Sequence, residues 1–432
     1  MQRVAITTLG CKTNQFESAA MTESLGKEGF QVVPFEEGAD VYVINTCTVT
    51  AKTDAESRRL IRRALRQNPE ARVVVTGCYA QVAPDMVKDL PGVALVVGNS
   101  EKKGIAELLR DAAPEGKVHV SDISRERTAA GLTLESFAEH TRAFLQVQNG
   151  CDAFCSYCIV PYARGRSRSV PCAEVREGVR SFAAQGFREV VLSGIHLGAY
   201  GLDLEPPTTL LALLETIEAE RPVPRLRLGS VEPQEVTDEM IDFLGRSAIV
   251  CPHLHIPLQS GDDAVLARMN RRYTAGFFRE MINRVIATVP DLCIGCDVIA
   301  GFPGETDAEF LATCRLIEEL PIAYLHVFPF SKRDGTPAAR MAGQVHGGTI
   351  RDRAEALRQL GERKKREYAE RFVGRELPVL VQNRREDGRC LGLSRNYLTV
   401  EMVGSEPPVN AEVRVRIAAL TDDGLRGSVI PA

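Results

Sequence analysis

The chain has 432 residues, 44% of them hydrophobic and 25% charged, which is the composition of a globular protein with several buried cores and not of a disordered chain. At roughly 100 to 200 residues per domain, this length predicts two to four domains. The formal net charge of −4 excludes a generally basic surface, so any binding to nucleic acid must use local basic patches.

The first residues, MQRVAITTLGC, lack the basic and apolar segments of a signal peptide, and no apolar run reaches the roughly 18 residues of a membrane span. We therefore expect a cytoplasmic protein without membrane contact.

From residue 3 to about 98, the apolar runs VAITT, VYVINT, RVVVTG and VALVVG alternate with helical stretches. This alternation predicts a Rossmann-like parallel-sheet α/β domain over residues 1–125. The charged segment 100–140 is expected to hold a terminal helix and a linker.

The central region, residues 137–370, repeats the alternation of strands and helices. Six apolar runs are expected to be strands: AFLQVQNG, EVVLSG, RLRLGS, HLHIPLQ, CIGCDVIAGF and YLHVFPF. They predict a partial (β/α) barrel whose active residues follow the carboxyl ends of the strands. A long helix comes next. Beyond it, ELPVLVQ, LGLSRNYLTVEMV and AEVRVRIAAL predict a small all-β barrel over residues 371–432.

Three cysteines lie close together in NGCDAFCSYCIVPYARG: Cys151, Cys155 and Cys158. Twelve cysteines in a chain without a secretion signal favour metal or redox chemistry over disulfides. Structural zinc sites usually have four protein ligands, and no fourth Cys or His is near. Three thiolates on a 4Fe-4S cluster leave one iron open to a small chelating molecule. A zinc knuckle or buried free thiols are the alternatives.

Three further cysteines each end an apolar run: Cys11 in TTLGC, Cys47 in INTC and Cys78 in VVTGC. Because the carboxyl ends of parallel strands share one edge of a sheet, these thiols are expected to converge and to hold a second cluster. Buried structural cysteines are the alternative. Cys293 and Cys296 lie within one apolar strand, so they are expected to be buried and not to bind metal.

The first motif resembles the signature of radical S-adenosylmethionine enzymes, whose open iron binds the amino and carboxylate groups of the cofactor. This resemblance implies that Tyr157 lies against the adenine and that the residues ending the barrel strands bind the same cofactor. Those residues are Ser193, Gly194, Ser230, Glu232, Gln259 and Ser260, followed by GFPGET. The Ser193-Gly194-Ile195 run departs from the Gly-Gly-Glu pattern common in the superfamily.

The order of three domains resembles the methylthiotransferase family over essentially the whole chain, and the small barrel is similar to the RNA-binding TRAM domain. LGCKTNQFES and CDAFCSYCIVPYARGRSRS look most like the branch that modifies N6-threonylcarbamoyladenosine in tRNA. The isopentenyladenosine branch typically has Gln-Met-Asn, and the ribosomal-protein branch Pro-Lys-Asn, where this chain has Lys12-Thr13-Asn14. These two substrates are the alternatives within the family, and a non-catalytic iron-sulfur RNA-binding sensor is the alternative outside it.

The resemblance implies two 4Fe-4S clusters, two roles for S-adenosylmethionine, an external electron donor, a sulfur source and the anticodon stem-loop of a tRNA as substrate. One S-adenosylmethionine methylates a sulfur, and the other yields the radical that removes hydrogen from C2 of adenine.

RNA binding by a net-negative chain depends on basic runs. Arg363, Lys364, Lys365 and Arg366 lead into the small barrel and are expected to contact phosphates. A predicted helix over residues 55–68 carries five arginines, which either contact RNA or form a solvated face: Arg58, Arg59, Arg62, Arg63 and Arg66. A third run follows the first cysteine motif and either contacts RNA or braces the loop: Arg164, Arg166 and Arg168.

Overall fold

The N-terminal region is a six-stranded parallel sheet in a computed structural model that describes residues 1–110, 116–129, 134, 141–385, 388–404 and 406–431. In the order β2-β1-β3-β4-β5-β6, its strands are β1 (Arg3–Thr8), β2 (Gln31–Val32), β3 (Val41–Thr46), β4 (Arg72–Gly77), β5 (Val93–Val97) and β6 (Lys117–His119). The four predicted strands are β1, β3, β4 and β5, and their parallel pairing is confirmed. The edge strands β2 and β6 are exposed and have two and three residues, too few to show an apolar pattern.

Helices cover both faces of this sheet. They are α1 (Lys12–Lys27), α2 (Ala51–Gln67), α3 (Cys78–Val82), α4 (Pro84–Lys88) and α5 (Ile105–Arg110). Helices α1 and α5 share one apolar core with the sheet, and α2, α3 and α4 share the other. The helix expected within residues 100–140 is α5, but the same segment also supplies β6. Much of the predicted boundary between residues 125 and 137 lies outside the described residues.

The six predicted strands of the central region are all present, as two three-stranded parallel sheets of order β11-β10-β7 and β12-β13-β14. These six strands are β7 (Arg142–Gln146), β10 (Glu189–Ser193), β11 (Arg225–Leu228), β12 (His253–His255), β13 (Cys293–Ala300) and β14 (Tyr324–Pro329). A separate antiparallel pair is formed by β8 (Gln148–Asn149) and β9 (Arg168–Ser169). A single bridge between Ser230 and His255 links the two sheets beyond the end of β11. Within the described part of the chain, β7 and β14 do not pair, so the barrel is partial as predicted.

Helices surround this partial barrel: α6 (Val160–Arg164), α7 (Cys172–Ala184), α8 (Leu210–Glu220), α9 (Asp238–Arg246), α10 (Asp263–Arg268), α11 (Ala275–Thr288), α12 (Asp307–Glu319) and α13 (Gly347–Glu370). The largest apolar core of the molecule lies between them and the strands. Helix α1 of the N-terminal domain packs against β7, and its Phe16 joins that core. The N-terminal domain therefore sits beside the open edge of the barrel.

Five strands close the C-terminal barrel in the order β15-β16-β17-β19-β18, which confirms the predicted all-β, TRAM-like unit. They are β15 (Glu376–Arg384), β16 (Cys390–Ser394), β17 (Thr399–Val403), β18 (Glu412–Leu420) and β19 (Leu425–Val429). None of the helices in the described ranges has both the length and the apolar character needed to span a bilayer. Cys293 and Cys296 are buried on β13, in the core shared with the C-terminal barrel and in the main core, respectively.

Buried charges join the central and C-terminal barrels. Glu189 pairs with Arg225 at 2.7 Å and with Arg227 at 2.8 Å. These arginines also donate to the carbonyl oxygens of Leu393 and Arg395, each at 3.0 Å. Burial alone raises the pKa of Glu189, but the two guanidinium groups outweigh it and hold the pKa at about 2. Because buried charges persist only when paired, this network fixes the C-terminal barrel against the strands.

Candidate active site

The first cysteine trio (Cys151, Cys155 and Cys158) lies on the loop between β8 and α6. Gly150 precedes it with a φ of +75°, and a Cβ at that position would lie 1.8 Å from the carbonyl oxygen of Arg166. Only glycine fits there, because the loop folds back onto its own later residues. The backbone N–H of Cys158 donates to the carbonyl of Cys155 at 2.9 Å, which closes the turn between these two ligand candidates.

Two side chains from elsewhere in the central domain contact the thiols of the first trio. Arg271 Nη1 lies 3.2 Å from Cys155 Sγ, and His196 Nδ1 lies 3.5 Å from Cys151 Sγ. His196 Nε2 is 2.6 Å from Glu235 Oε1. Burial lowers the pKa of His196, but the thiol of Cys151 and the carboxylate of Glu235 outweigh it and raise the pKa to about 10. Both side chains are cationic N–H donors, which the sulfurs of an iron-sulfur cluster accept.

Two cavities reach the first trio. One, of about 460 Å³, is lined by Cys155, His196, Glu232, Asn270 and Arg271 together with neighbouring residues. The other, of about 230 Å³, is lined by Tyr157, Cys158, Gln259, Asp297 and Ile299 and by Val49 and Thr50 of the N-terminal domain. The second cavity is therefore shared between the two domains.

Gln259, one of the residues predicted to bind the cofactor, has an unusual environment in the smaller cavity. Its φ is +63°, a strained value for a residue with a side chain, and only 8% of its surface is exposed. Its Oε1 is buried and accepts no hydrogen bond from any described residue. Both features fit a residue that contacts a ligand, and cofactor binding by Gln259 stays a prediction.

The seven residues predicted to bind the cofactor have different surroundings in the structure. Tyr157, Glu232 and Gln259 line the cavities. The hydroxyl of Ser193 donates to a β7 carbonyl at 3.3 Å, and that of Ser260 is buried 3.2 Å from a threonine hydroxyl on α12. These two serines are engaged within the fold.

Gly194 and Ser230 complete the predicted set. A Cβ on Gly194 would lie 2.9 Å from Gln148 Oε1, so a larger residue there would have to displace the Gln148 amide. Ser230 is exposed and forms the bridge to β12. Cofactor binding by both residues remains a prediction.

The second trio (Cys11, Cys47 and Cys78) follows the carboxyl ends of the adjacent strands β1, β3 and β4, so the structure brings its members to one edge of the sheet. Gly10 has a φ of +99°, and a Cβ there would lie 2.8 Å from the Cβ of Cys47. Burial, reinforced by the nearby thiols of Cys78 and Cys11, raises the pKa of Cys47 to about 12. The three thiols are therefore near enough to influence one another electrostatically.

A buried arginine from the central domain contacts the second trio. Arg164 Nε donates to Cys78 Sγ at 3.3 Å, while its other nitrogens bond to Glu17 and Asn14. Lys102 also pairs with Glu17, and the side chains of Arg164 and Lys102 are 1% and 0% exposed. Burial alone raises the pKa of Glu17, but these two cations outweigh it and hold the pKa below its usual value. Arg164 thus links the two domains at a predicted cluster ligand.

The spacing of the sulfurs indicates which metal centre each trio suits. In the ranges the structure describes, only His255, Asp297 and His326 bring three candidate ligand atoms within 4.8 Å of one another. Neither cysteine trio does, so its thiols are too far apart for a single zinc ion. Three spread thiolates beside cationic N–H donors suit a 4Fe-4S cluster with one open iron.

The sequence-based reasoning missed the side chains that support the two trios. His196 lies in the SGIHLG segment at the end of β10, and Arg271 lies in the basic run MNRRY after α10. Arg164 belongs to a noted basic run, and the structure shows that it and Arg168 are buried braces. Arg166 is the exposed member of that run, 3.2 Å from Asp152.

The other basic runs divide between paired and open residues. On α2, Arg59 and Arg63 pair with acidic side chains, and Arg58 donates to a tyrosine hydroxyl. On α13, Arg363 Nη2 lies 3.0 Å from the Glu318 carboxylate, and Lys364 Nζ lies 3.3 Å from the Glu318 carbonyl. Lys365 and Arg366 instead face a groove of about 700 Å³ between α13 and the C-terminal barrel.

Comparison with known proteins agrees with this architecture. Residues 145–317 match the family model of the Radical SAM superfamily, and residues 3–98 match that of the uncharacterized protein family UPF0004. The solved structure of TsrM, a radical S-adenosylmethionine methyltransferase from Kitasatospora setae, shares the fold with a TM-score of 0.56 at 19% identity, covering 78% of this chain and 77% of that one. Fold and site together define a radical S-adenosylmethionine enzyme.

Two relatives show which family of radical S-adenosylmethionine enzymes this chain belongs to. Threonylcarbamoyladenosine tRNA methylthiotransferase MtaB of Bacillus subtilis is 40% identical over 423 residues, 96% of this chain and 94% of that protein. The tRNA-2-methylthio-N(6)-dimethylallyladenosine synthase of a Ruegeria species is 33% identical over 436 residues, 99% of each chain. This chain therefore belongs to the methylthiotransferase family, with MtaB proteins among its relatives, and the predicted resemblance is confirmed.

Proposed function

We propose that this chain is a tRNA methylthiotransferase that converts N6-threonylcarbamoyladenosine beside the anticodon to its 2-methylthio derivative. The smaller cavity is the observation that supports this most strongly. Its lining includes Tyr157 and Cys158 at the first trio and Val49 and Thr50, which follow Cys47 of the second trio. One space thus lies between the first trio and the loop that follows Cys47, and this placement supports a reaction that joins the two predicted cluster sites.

The cofactors are two 4Fe-4S clusters and S-adenosylmethionine. The predicted ligands are Cys151, Cys155 and Cys158 for one cluster and Cys11, Cys47 and Cys78 for the other. When bound, these groups supply reductive cleavage, a methylated sulfur and hydrogen removal from an unactivated carbon. An external electron donor and a sulfur source complete the reaction, and because tRNA is the substrate, the proposal places the enzyme in the cytoplasm.

The side chains of this protein bind and orient the reactants. In the larger cavity, the paired side chains of Arg271 and Glu232 and the amide of Asn270 offer hydrogen-bond partners for a small polar ligand. In the smaller cavity, Gln259 Oε1 offers an unpaired acceptor for an N–H group. The reaction needs no acid–base dyad, because a radical acts on the C–H bond.

The alternatives fit less well. Identity is higher to the MtaB relative, at 40%, than to the dimethylallyladenosine synthase, at 33%, so the same chemistry on isopentenyladenosine is the second candidate within the family. A ribosomal-protein aspartate is the third. A non-catalytic iron-sulfur RNA sensor has no use for a strained Gln259 in a cavity beside the first trio.

Nucleoside analysis of tRNA from a strain deleted for this gene tests the function. We expect 2-methylthio-N6-threonylcarbamoyladenosine to disappear and its unmethylthiolated precursor to accumulate. Complementation of strains that lack each known methylthiotransferase activity should succeed only for the threonylcarbamoyl substrate. Unchanged nucleosides in the deletion strain would exclude the proposed substrate, and absence of 5′-deoxyadenosine after anaerobic reduction would favour the sensor.

A further inference from the structure

Three polar side chains on the neighbouring strands β12, β13 and β14 of the partial barrel form a cluster that is separate from both cysteine trios. Asp297 Oδ1 is hydrogen-bonded to His255 Nε2 at 2.8 Å, and His326 Nδ1 lies 3.3 Å from the same oxygen. Tyr324 OH lies 3.1 Å from the second ring nitrogen of His255, so both nitrogens of that ring are engaged. Burial alone raises the pKa of Asp297, but the two imidazoles outweigh it and hold the pKa below its usual value.

This cluster connects two cavities. Asp297 lines the small cavity beside Tyr157 and Cys158, while His326 lines the larger groove beside α13 and the C-terminal barrel. Side-chain exposure rises along the cluster, from 9% at His255 to 22% at Asp297 and 57% at His326. A ligand in the groove therefore meets His326 first, and Asp297 lies between it and the predicted cluster site.

The cluster has two kinds of group that bind a nucleobase, which are aromatic rings and a carboxylate acceptor. The rings of His255 and His326 lie 4.8 Å apart at 31°, and the His326 side chain is 57% exposed and lines the groove, where it offers an aromatic ring for stacking. Asp297 has an ionised carboxylate with only one oxygen engaged by the imidazoles, so the other remains an acceptor for N–H or O–H groups.

The groove beside the cluster carries positive charge on its helical wall. Lys365 and Arg366 line it, and neither forms an ion pair with a described residue. The opposite wall carries Asp422 and Asp423 in the turn between β18 and β19, so an RNA backbone would follow the helix side.

We propose that His255, Asp297 and His326 receive the base of the substrate nucleoside and that Lys365 and Arg366 hold the phosphates that lead to it. This site rests on the proposed function and deepens it, because it names the residues that bind single-stranded RNA beside strands β12, β13 and β14. The occupant is a flipped-out nucleotide, which enters at His326 and reaches toward Asp297.

Binding of RNA to the holoenzyme tests the base site. The probe is an anticodon stem-loop with threonylcarbamoyladenosine at the modified position, compared with the same RNA made abasic there. Since base stacking and contacts contribute about 5- to 150-fold in affinity, the wild type should prefer the intact RNA by a factor in that range. His326→Gln and Asp297→Asn should both bring the ratio close to one, and His326→Gln, which lines only the groove, should retain iron content and RNA-independent S-adenosylmethionine cleavage.

Salt dependence tests the phosphate contacts on α13. Lys365→Gln combined with Arg366→Gln should weaken binding of both RNAs about 10-fold and reduce the slope of log K against log salt by about 1.4, at roughly 0.7 per contact. Arg363→Gln combined with Lys364→Gln is the matched control, because those residues contact Glu318 outside the groove. Its affinity and slope should equal those of the wild type.

The outcomes separate the two proposals. A wild-type holoenzyme that binds but never methylthiolates the threonylcarbamoyl stem-loop contradicts the proposed function. Normal wild-type activity with an unchanged intact-to-abasic ratio in His326→Gln contradicts only the base site. Retention of one Mn²⁺ or Zn²⁺ per chain that Asp297→Asn loses would also overturn it, since the cluster would then be a metal site. Equal losses in the two α13 double variants would overturn the phosphate contacts.

Discussion

The two cysteine trios reach similar surroundings by different routes. The first lies within eight residues on one loop, so local backbone geometry positions all three thiols. The second is assembled from the ends of three strands, and its geometry depends on the register of the whole N-terminal sheet. A local site tolerates changes elsewhere in its domain, whereas an assembled site is sensitive to every element that sets the sheet edge.

Both trios nevertheless have an arginine, anchored by a glutamate, that contacts one thiol. Arg271 contacts Cys155 and pairs with Glu232, all within the central domain. Arg164 contacts Cys78 in the N-terminal domain from the helix that follows the first trio. The second site is therefore complete only when the two domains are docked, and this difference can be tested by substitution.

The largest expected effects follow from removing one ligand of each trio. Cys155→Ala should lose about half of the bound iron and all reductive cleavage of S-adenosylmethionine, because three thiolates are the minimum for that cluster. Cys47→Ala should lose the other half, retain cleavage and form no methylthio product. Iron and sulfide counting with 5′-deoxyadenosine and nucleoside assays measures all of these. Intact methylthiolation in Cys47→Ala would show that the N-terminal thiols hold no reactive cluster.

Glycine substitutions should separate the two sites almost as sharply. Gly10→Ala places a methyl group 2.8 Å from the Cβ of Cys47, and Gly150→Ala places one 1.8 Å from a backbone oxygen, both at positive φ. Each should lose the iron of its own trio and keep that of the other. Gly26→Ala is the matched control, since a Cβ there meets nothing within 4 Å and a helical alanine stabilises by up to about 1 kcal/mol. Equal iron losses in both variants would mean that the sites are not independent.

The difference between the local first trio and the assembled second trio also explains which parts of the two sites could be predicted from the sequence. The first trio was visible as a contiguous spacing, and the second through the rule that parallel strands end at one edge. The contacts of Arg164, Arg271 and His196 with the thiols could not be predicted, because each acts on a thiol more than 40 residues away and its partner depends on tertiary packing. The short edge strands β2 and β6 carried no pattern at all.

A smaller effect is expected from the arginine that joins the domains. Arg164→Lys keeps the charge but loses the planar guanidinium group, whose three nitrogens bond to Cys78, Glu17 and Asn14. N–H donation to a ligand sulfur stabilises the reduced, more negative cluster. The potential of the second cluster should fall by roughly 60–100 mV, the equivalent of about 1.5–2.5 kcal/mol for one electron. Electron paramagnetic resonance during redox titration measures it, and the first cluster serves as the internal reference.

The smallest effect is expected at Arg166, two residues after Arg164. Arg166 is 60% exposed on its side chain, pairs with Asp152 at 3.2 Å and lies 5.9 Å above the ring of Phe154. Because an exposed ion pair contributes less than about 1 kcal/mol, Arg166→Gln should leave both iron contents and both potentials unchanged and lower the free energy of unfolding by less than that. Loss of the first cluster in this variant would mean that the loop around Cys151 depends on surface charge and not on its own backbone. A selective loss of RNA affinity would instead assign Arg166 to the substrate surface.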